Sequence, residues 1–236
     1  MLYHRPATER GHANLGWLNS YHTFSFGHYH DDAHMGFSVL RVINDDTVSP
    51  GAGFETHGHR NMEIISYVLD GAIEHKDSMG KQYVIPAGQV QVMSAGTGVT
   101  HSEFNASNTE PLRFLQMWIQ PNAIGVTPSY QQKSVEQSEA ITALVTPDGR
   151  NGSLTLHQDA SIFRLQLSAT EQCTFDTHQR SGYLHVIDGD LTIENETGDT
   201  IAMQSADGLG VWQEKITLTA MPPVTALWFD LPALPG

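Results

Sequence analysis

Short β-prone runs broken by glycine turns constrain this chain more than any other feature. Residues 37–43, 64–69, 114–119, 183–187 and 226–229 are dense in Val, Ile, Leu and aromatic side chains. Asp70-Gly71, Pro86-Ala-Gly88, Asp188-Gly189 and Gly208-Leu-Gly210 punctuate them. Such pairs mark tight turns between strands. Sustained helical periodicity is nearly absent, and the one helix expected lies around residues 135–144. Many short strands at close spacing predict an all-β chain of sandwich or barrel architecture.

An internal repeat divides the chain. Tyr67-Val-Leu-Asp-Gly-Ala-Ile-Glu74 resembles His185-Val-Ile-Asp-Gly-Asp-Leu-Thr192, 118 residues on. Downstream, Ser94-Ala-Gly-Thr-Gly-Val99 resembles Ser205-Ala-Asp-Gly-Leu-Gly-Val211 with one inserted residue. Two matches in the same order predict tandem β-domains. The expected division is residues 1–132 and 133–236, with a linker rich in Pro, Gly, Ser, Gln and Asn over 121–153. A chain of 236 residues is long enough for two such cores.

Histidine is the anomaly of composition. Ten of the 13 histidines fall in residues 1–118, so histidine chemistry belongs to the first half. His57-Gly-His59 and His101-Ser-Glu103 each place two ligand-type residues two apart. In a strand such residues share a face. If the two strands are neighbours, three imidazoles and a carboxylate converge, a set that suits one divalent transition metal: Fe, Ni, Co, Cu, Mn or Zn. A lone His-x-His carries no information in so His-rich a chain, and His28-Tyr-His30 is a second one. His28, His30, Asp31, Asp32 and His34 read as a surface loop, and His75, ending a strand run, as a solvated side chain. His4, His12 and His22 read as packing or surface residues. Glu63 shares the strand parity of His57 and His59. Ligand, orienting partner of a histidine, and exposed acid all remain open for it. The aromatic stretch from Trp17 to Phe26 suits either a lid or the core of an N-terminal strand. Met93, Phe104 and Met117 suit either a cavity wall or the core.

Charge removes several functions. Lys and Arg number 12 against 26 Asp and Glu, a net charge of −14. The chain has no basic footprint for nucleic acid or for anionic lipid. Its one cysteine, Cys173, excludes an intramolecular disulfide and favours a reducing compartment. The N-terminus shows no signal segment, and no apolar run nears the roughly 20 residues of a membrane span. A soluble, cytoplasmic monomer is expected.

Gly51-x5-His57-x-His59-x3-Glu63-x7-Gly71 resembles the first cupin motif, with its Glu-to-Gly spacing one residue longer than usual. Gly80-x5-Pro86-x-Gly88 followed by His101-x3-Asn105 resembles the second, with a much longer gap between Gly88 and His101. Together with Trp17-x4-His22-Thr-Phe-Ser-Phe26-Gly27 and Met93-Ser-Ala-Gly-Thr-Gly-x2-His101-Ser-Glu103, this departure resembles the pirin family. Within it the match is nearest to bacterial pirin-like proteins, some of which are quercetin 2,3-dioxygenases. The resemblance implies a bicupin of two antiparallel jelly-roll barrels, with one metal, Fe(II) foremost, in the N-terminal barrel. It implies His57, His59, His101 and Glu103 as ligands, with Glu103 also the catalytic base, and a degenerate second barrel. Sliding the repeat places Phe175 and Thr177 at the positions of His57 and His59, and Gln213 opposite His101. The implied reaction is O2-dependent ring opening of a flavonol-like phenol with release of carbon monoxide. The alternative it carries is a metal- or redox-sensitive binding protein that docks on a transcription regulator. An isomerase of small anions would need Lys or Arg at the metal, and Arg60 and Arg113 are near only in sequence.

Overall fold

Every β-prone run forms or enters a strand in the computed structural model, which describes residues 1–137 and 139–233. The longest strands are Leu40–Val48, Glu63–Asp70, Leu112–Ile119, Ser181–Asp188 and Val224–Leu231. Three single-turn 3-10 segments and no α-helix occur among the described residues. None of their helices is long and apolar enough to cross a membrane. The helix expected around 135–144 is a correction. Residues 135–137, 139 and 140 are irregular, and Ile141–Thr146 is a strand paired with Ser161–Leu167; residue 138 lies outside the described residues. Ile141, Thr142, Val145 and Thr146 are β-branched and stiff in a helix, and five of the strand's six side chains are buried.

The chain divides into two compact units. One holds Gly11–Val135 with Leu154–Gln158; the other holds Met1–Arg10, Glu136–Ser153 and Asp159 onward. A single cut at 132/133 does not describe this exchange of short segments. The N-terminal strand Leu2–Arg5 lies along Gly208–Trp212, so it completes a sheet of the second unit.

In the first unit a large sheet runs in the order Ser129–Ser134, Gln89–Ser94, Glu63–Asp70, Leu112–Ile119, Leu40–Val48, Leu18–His22, Gly11–Asn14. A four-stranded sheet runs Gly53–His59, Val99–Asn105, Ala72–Asp77, Gln82–Pro86. Val68 and Phe114 of the large sheet pack with Ile73 and Ile85 of the small one. All four are at most 1% exposed, and each contributes roughly 1.5–3 kcal/mol of burial.

The second unit repeats this plan. Its large sheet contains, in order, Leu2–Arg5, Gly208–Trp212, Ser181–Asp188, Val224–Leu231, Ser161–Leu167 and Ile141–Thr146. Its small sheet runs Gln172–Asp176, Lys215–Ala220, Leu191–Asn195, Thr200–Met203. The Asp-Gly turns of the repeat have a backbone cause. Gly71 and Gly189 have φ of 77° and 91°. A Cβ on them would sit 2.9 Å from Pro111 O and 2.5 Å from Pro223 O. Only glycine fits both demands.

The registers align the units and revise half of the sequence match. Gly88 N donates to Val68 O as Ala206 N donates to Val186 O, and Glu63 lies opposite Ser94 as Ser181 lies opposite Trp212. The equivalent of Ser94 is therefore Trp212, not Ser205, and the second pair of glycine-rich segments is a chance likeness. His57 lies opposite His101, and Phe175 opposite Ile216. Ile216, not Gln213, thus stands where His101 stands.

Candidate metal centre

Three adjacent strands of the small sheet build the centre. Val99–Asn105 runs between Gly53–His59 and Ala72–Asp77. Its side chains alternate cleanly: Val99, His101, Glu103 and Asn105 are buried, while Thr100, Ser102 and Phe104 are more exposed. His101 lies opposite His57, and Glu103 opposite His75, with a register shift between His101 and Glu103 on the His57 side. The ring centroids of His57, His59 and His101 are 4.5, 4.8 and 4.9 Å apart. One nitrogen from each lies within 4.8 Å of the others. The expected trio of histidines is brought together.

Glu103 belongs to a second, overlapping group. Its carboxylate clusters with His101 and His75 rather than with all three of the trio. Oε1 accepts from Gln91 Nε2 at 2.8 Å and Ser66 Oγ at 3.2 Å, and Oε2 accepts from Gln116 Nε2 at 2.9 Å. These donors come from one row across the large sheet, where Ser66 lies opposite both Gln91 and Gln116. The row continues through Asn44 to His22. In the second unit the equivalents are apolar. Phe175, Ile216, Leu218 and Ile193 replace His57, His101, Glu103 and His75. Leu184, Leu209 and Trp228 replace Ser66, Gln91 and Gln116. The same fold thus closes over a hydrocarbon core there and over a polar site here.

His75 is the residue that sequence reading misplaced. It is fully buried, not solvated. Nε2 meets Asp77 Oδ2 at 3.1 Å, and Asp77 Oδ1 accepts from the backbone of Met79 and Lys81. The signal was present: His75-x-Asp77 is a third pair two apart, on the third strand of the same sheet. Glu63 resolves differently. It is 1% exposed, takes hydrogen bonds from Ser94 Oγ and His157 N through Oε2, and joins neither donor group. The His28–His34 stretch forms no such group among the described residues either.

The donor chemistry fits a divalent ion. Both ring nitrogens of His101 are buried without a hydrogen-bond partner, a costly arrangement for imidazole alone. His57 Nδ1 pairs with Glu55 O at 2.7 Å, which leaves Nε2 for a metal. Burial, helped by the neighbouring imidazoles and opposed by Glu103, pushes His59 down to about 4. His101 is lowered as well, first by burial and then by His57 and His75, against Glu103 and Asp77. Neutral imidazole is the form that binds a cation.

A cavity of about 760 Å³ opens beside the trio. Trp17, Phe26, Phe54, Phe104 and Trp118 line it, with Ala52, glycines and the acidic Asp46, Glu55 and Glu103, and among the described residues no Lys or Arg reaches it. Trp118 meets His59 and Phe26 edge-on at 5.1 and 5.3 Å. The aromatic segment thus divides: Trp17 and Phe26 face the cavity, while Phe24 is core. Phe104 is a wall residue, and Met93 and Met117 are core. Arg113 is spent on Asp45, bonded through Nε and one terminal nitrogen at 3.0 and 2.9 Å.

Known proteins are similar to this chain. The family model described as Pirin matches residues 4–119, and the one described as Quercetinase C-terminal cupin domain matches residues 143–231. Quercetin 2,3-dioxygenase of Escherichia coli K12 is 47% identical over 98% of this chain and 99% of its own. This chain belongs to the pirin family. A pirin-like protein of Caulobacter vibrioides is 37% identical over 98% of this chain and 99% of its own. The solved structure of the bacterial pirin YhhW from Escherichia coli in complex with nickel(II) is similar with a TM-score of 0.94 and 45% identity. The match covers 99% of this chain and 100% of that one. The all-β bicupin expected from sequence is therefore this pirin's architecture.

Titration gives a first expected result. In the metal-free protein the folded state holds fewer protons than the unfolded one at His59 between about pH 4 and 6.5, so this group's stability contribution falls as pH drops through that window. Asp46 acts oppositely. Burial first, then Asp45 and Glu103, push it up to about 7 against the Ser20 hydrogen bond, so its contribution falls as pH rises from about 4 to 7. Asp46→Asn removes the second effect. Its denaturation free energy should rise more steeply than wild type between pH 5 and 7, by roughly 1.4 kcal/mol per pH unit at most. Parallel slopes in urea titrations at both pH values would contradict it.

Proposed function

We propose that this pirin is a metal-dependent dioxygenase of the quercetin 2,3-dioxygenase type, acting on a flavonol-like phenol. The observation that carries this reading is the cavity itself: His57 and His59 of the convergent imidazole trio at one wall, five aromatic side chains around it, and, among the described residues, no Lys or Arg. A small anion or sugar phosphate would call for Lys or Arg there, whereas a planar polyphenol calls for aromatic faces. The relatives named as quercetin 2,3-dioxygenases support the same reading.

His57, His59 and His101 would hold the ion, with Glu103 as a fourth donor. Three neutral ligands and one carboxylate leave a divalent ion net positive, and octahedral preference leaves two positions open. We infer Fe(II) as the foremost ion, with Ni(II) and Co(II) next. When bound, such an ion lowers the pKa of a coordinated hydroxyl and polarises it. Glu103 takes the proton of the flavonol hydroxyl at one of its carboxylate oxygens. Ser66, Gln91 and Gln116 hold that carboxylate in place as it does so. Trp17, Phe54 and Trp118 sandwich the rings and keep water away from the opening ring. Both atoms of O2 enter the product, two carbon–carbon bonds of the central ring break, and one ring carbon leaves as carbon monoxide.

The test is anaerobic reconstitution with each of Fe, Ni, Co, Cu, Mn and Zn, followed by quercetin in air. Metal-dependent loss of flavonol absorbance with carbon monoxide release is expected, and none in a His57→Ala/His101→Ala control. Tight metal binding without turnover for any ion would overturn the enzyme reading in favour of a metal-sensing binding protein.

A further inference from the structure

One polar edge of the cavity has no part in the steps above. It is built on Leu40–Val48, where Asn44 and Asp46 both face the cavity. Asp46 is 3% exposed. Its Oδ1 accepts from Ser20 Oγ, and Oδ2 makes no hydrogen bond among the described residues. Ser20 Oγ and Asn44 Oδ1 both meet His22 Nδ1, at 3.4 and 2.9 Å, so the group behind Asp46 is fixed. Asp45, its sequence neighbour, is paired with Arg113, and Asp46 has no Lys or Arg partner among the described residues.

A buried carboxyl with a free oxygen and no cation is expensive. The fold does not require it: the second unit carries Leu165 and Phe163 at the positions of Asp46 and Asn44. Burial first, then the like charges of Asp45 and Glu103, raise it to about 7 against the Ser20 hydrogen bond. The free oxygen of Asp46 is an acceptor aimed into the cavity, and a carboxyl can take a hydrogen bond from a ligand hydroxyl in either protonation state.

We propose that Asp46 is the second polar anchor of the cavity, binding a hydroxyl of a polyphenol whose chelating edge points at His57, His59 and His101. The ligand class is an aromatic ring system with a hydroxyl–carbonyl edge at one end and a further phenolic hydroxyl away from it. This rests on the flavonol reading of the cavity and adds the determinant that separates one flavonol from another. Asp46 is a specificity residue here; it takes no part in the ring opening.

Binding to the anaerobic, metal-loaded protein tests it without turnover, read by quenching of tryptophan fluorescence, to which Trp17 and Trp118 contribute from the cavity wall. The probes are quercetin and 3-hydroxyflavone, which share the chelating edge but differ in the ring hydroxyls. Wild type should prefer quercetin. Asp46→Leu should weaken quercetin about tenfold, the loss of one buried hydrogen bond, and leave 3-hydroxyflavone within twofold. Asp46→Asn, which keeps an acceptor and a donor, should retain most of the preference. Thermal melting and metal content check that both variants fold. An Asp46→Leu protein that still prefers quercetin as wild type does, or that loses both probes equally, overturns the proposal alone. A wild-type protein that binds neither flavonol overturns the flavonol reading and this proposal with it.

Discussion

His101→Ala should yield a folded protein that no longer retains a divalent ion through dialysis. His101 is the shared member of both donor groups, so its removal breaks the outer trio and the inner cluster together. Loss of an outer-shell partner alone costs 10–100-fold in affinity, and loss of a ligand should exceed it, at roughly a thousandfold. The fold should survive for a specific reason. In the metal-free protein His101 is 1% exposed with both nitrogens unpartnered, so it contributes burial but carries an unmet polar cost. Alanine removes both, and the two effects offset to within about 2 kcal/mol. Metal analysis after dialysis and urea denaturation of the metal-free protein read the two halves separately. Retention of the ion at wild-type affinity would show that the imidazoles are not its seat.

The outline of this site was legible because β-structure has a period of two. His57/His59 and His101/Glu103 share a face by parity alone, and glycine turns announced the strands that carry them. Parity does not say which strands are neighbours, so Gln91, Ser66 and Gln116 were invisible as partners of Glu103: they lie on three strands of the other sheet. The end of an apolar run suggests solvent for His75, whereas Ala72–Asp77 is flanked by a strand on both sides and buries Ile73 and His75 on one face. The repeat was read half correctly. Tyr67–Glu74 matched its true equivalent because the Asp-Gly turn is fixed by positive φ and a close carbonyl. The second match shares Ser-Ala, two glycines and a Val, but Gly96 lies in a turn whereas Gly208 and Gly210 lie within a strand. No helix forms around 135–144 because the β-branched Ile141, Thr142, Val145 and Thr146 favour a strand, which pairs with Ser161–Leu167. The short exchanged segments, Met1–Arg10 and Leu154–Gln158, leave no local signature, since pairing with a distant strand is a property of the partner.

Glu103→Leu should be the most damaging single change to the metal-free fold, although leucine is what the second unit holds at that place. There Leu218 sits among Leu184, Leu209 and Trp228, and every group is apolar. Here leucine would face the buried amides of Gln91 and Gln116 and the buried hydroxyl of Ser66; Gln116 and Ser66 would lose their acceptor, and Gln91 Nε2 would keep only Ser66 Oγ. Each orphaned donor costs about 1–3 kcal/mol, and their partial relaxation leaves a net loss of roughly 3–5 kcal/mol. Glu103→Gln should cost under about 1.5 kcal/mol. Its new NH2 can meet Gln116 once that amide turns to offer Oε1, which is unpartnered in the native structure. Both variants should lose turnover, because neither keeps a carboxylate to take the flavonol proton. Stability and activity therefore separate: glutamine keeps the network and loses the base, leucine loses both. Adding Ser66→Leu and Gln91→Leu to Glu103→Leu should recover part of the stability, as expected for a coupled network rather than independent bonds. Additive losses in that triple variant would mean that the row across the large sheet is ordinary packing and that Glu103 is positioned by its own strand.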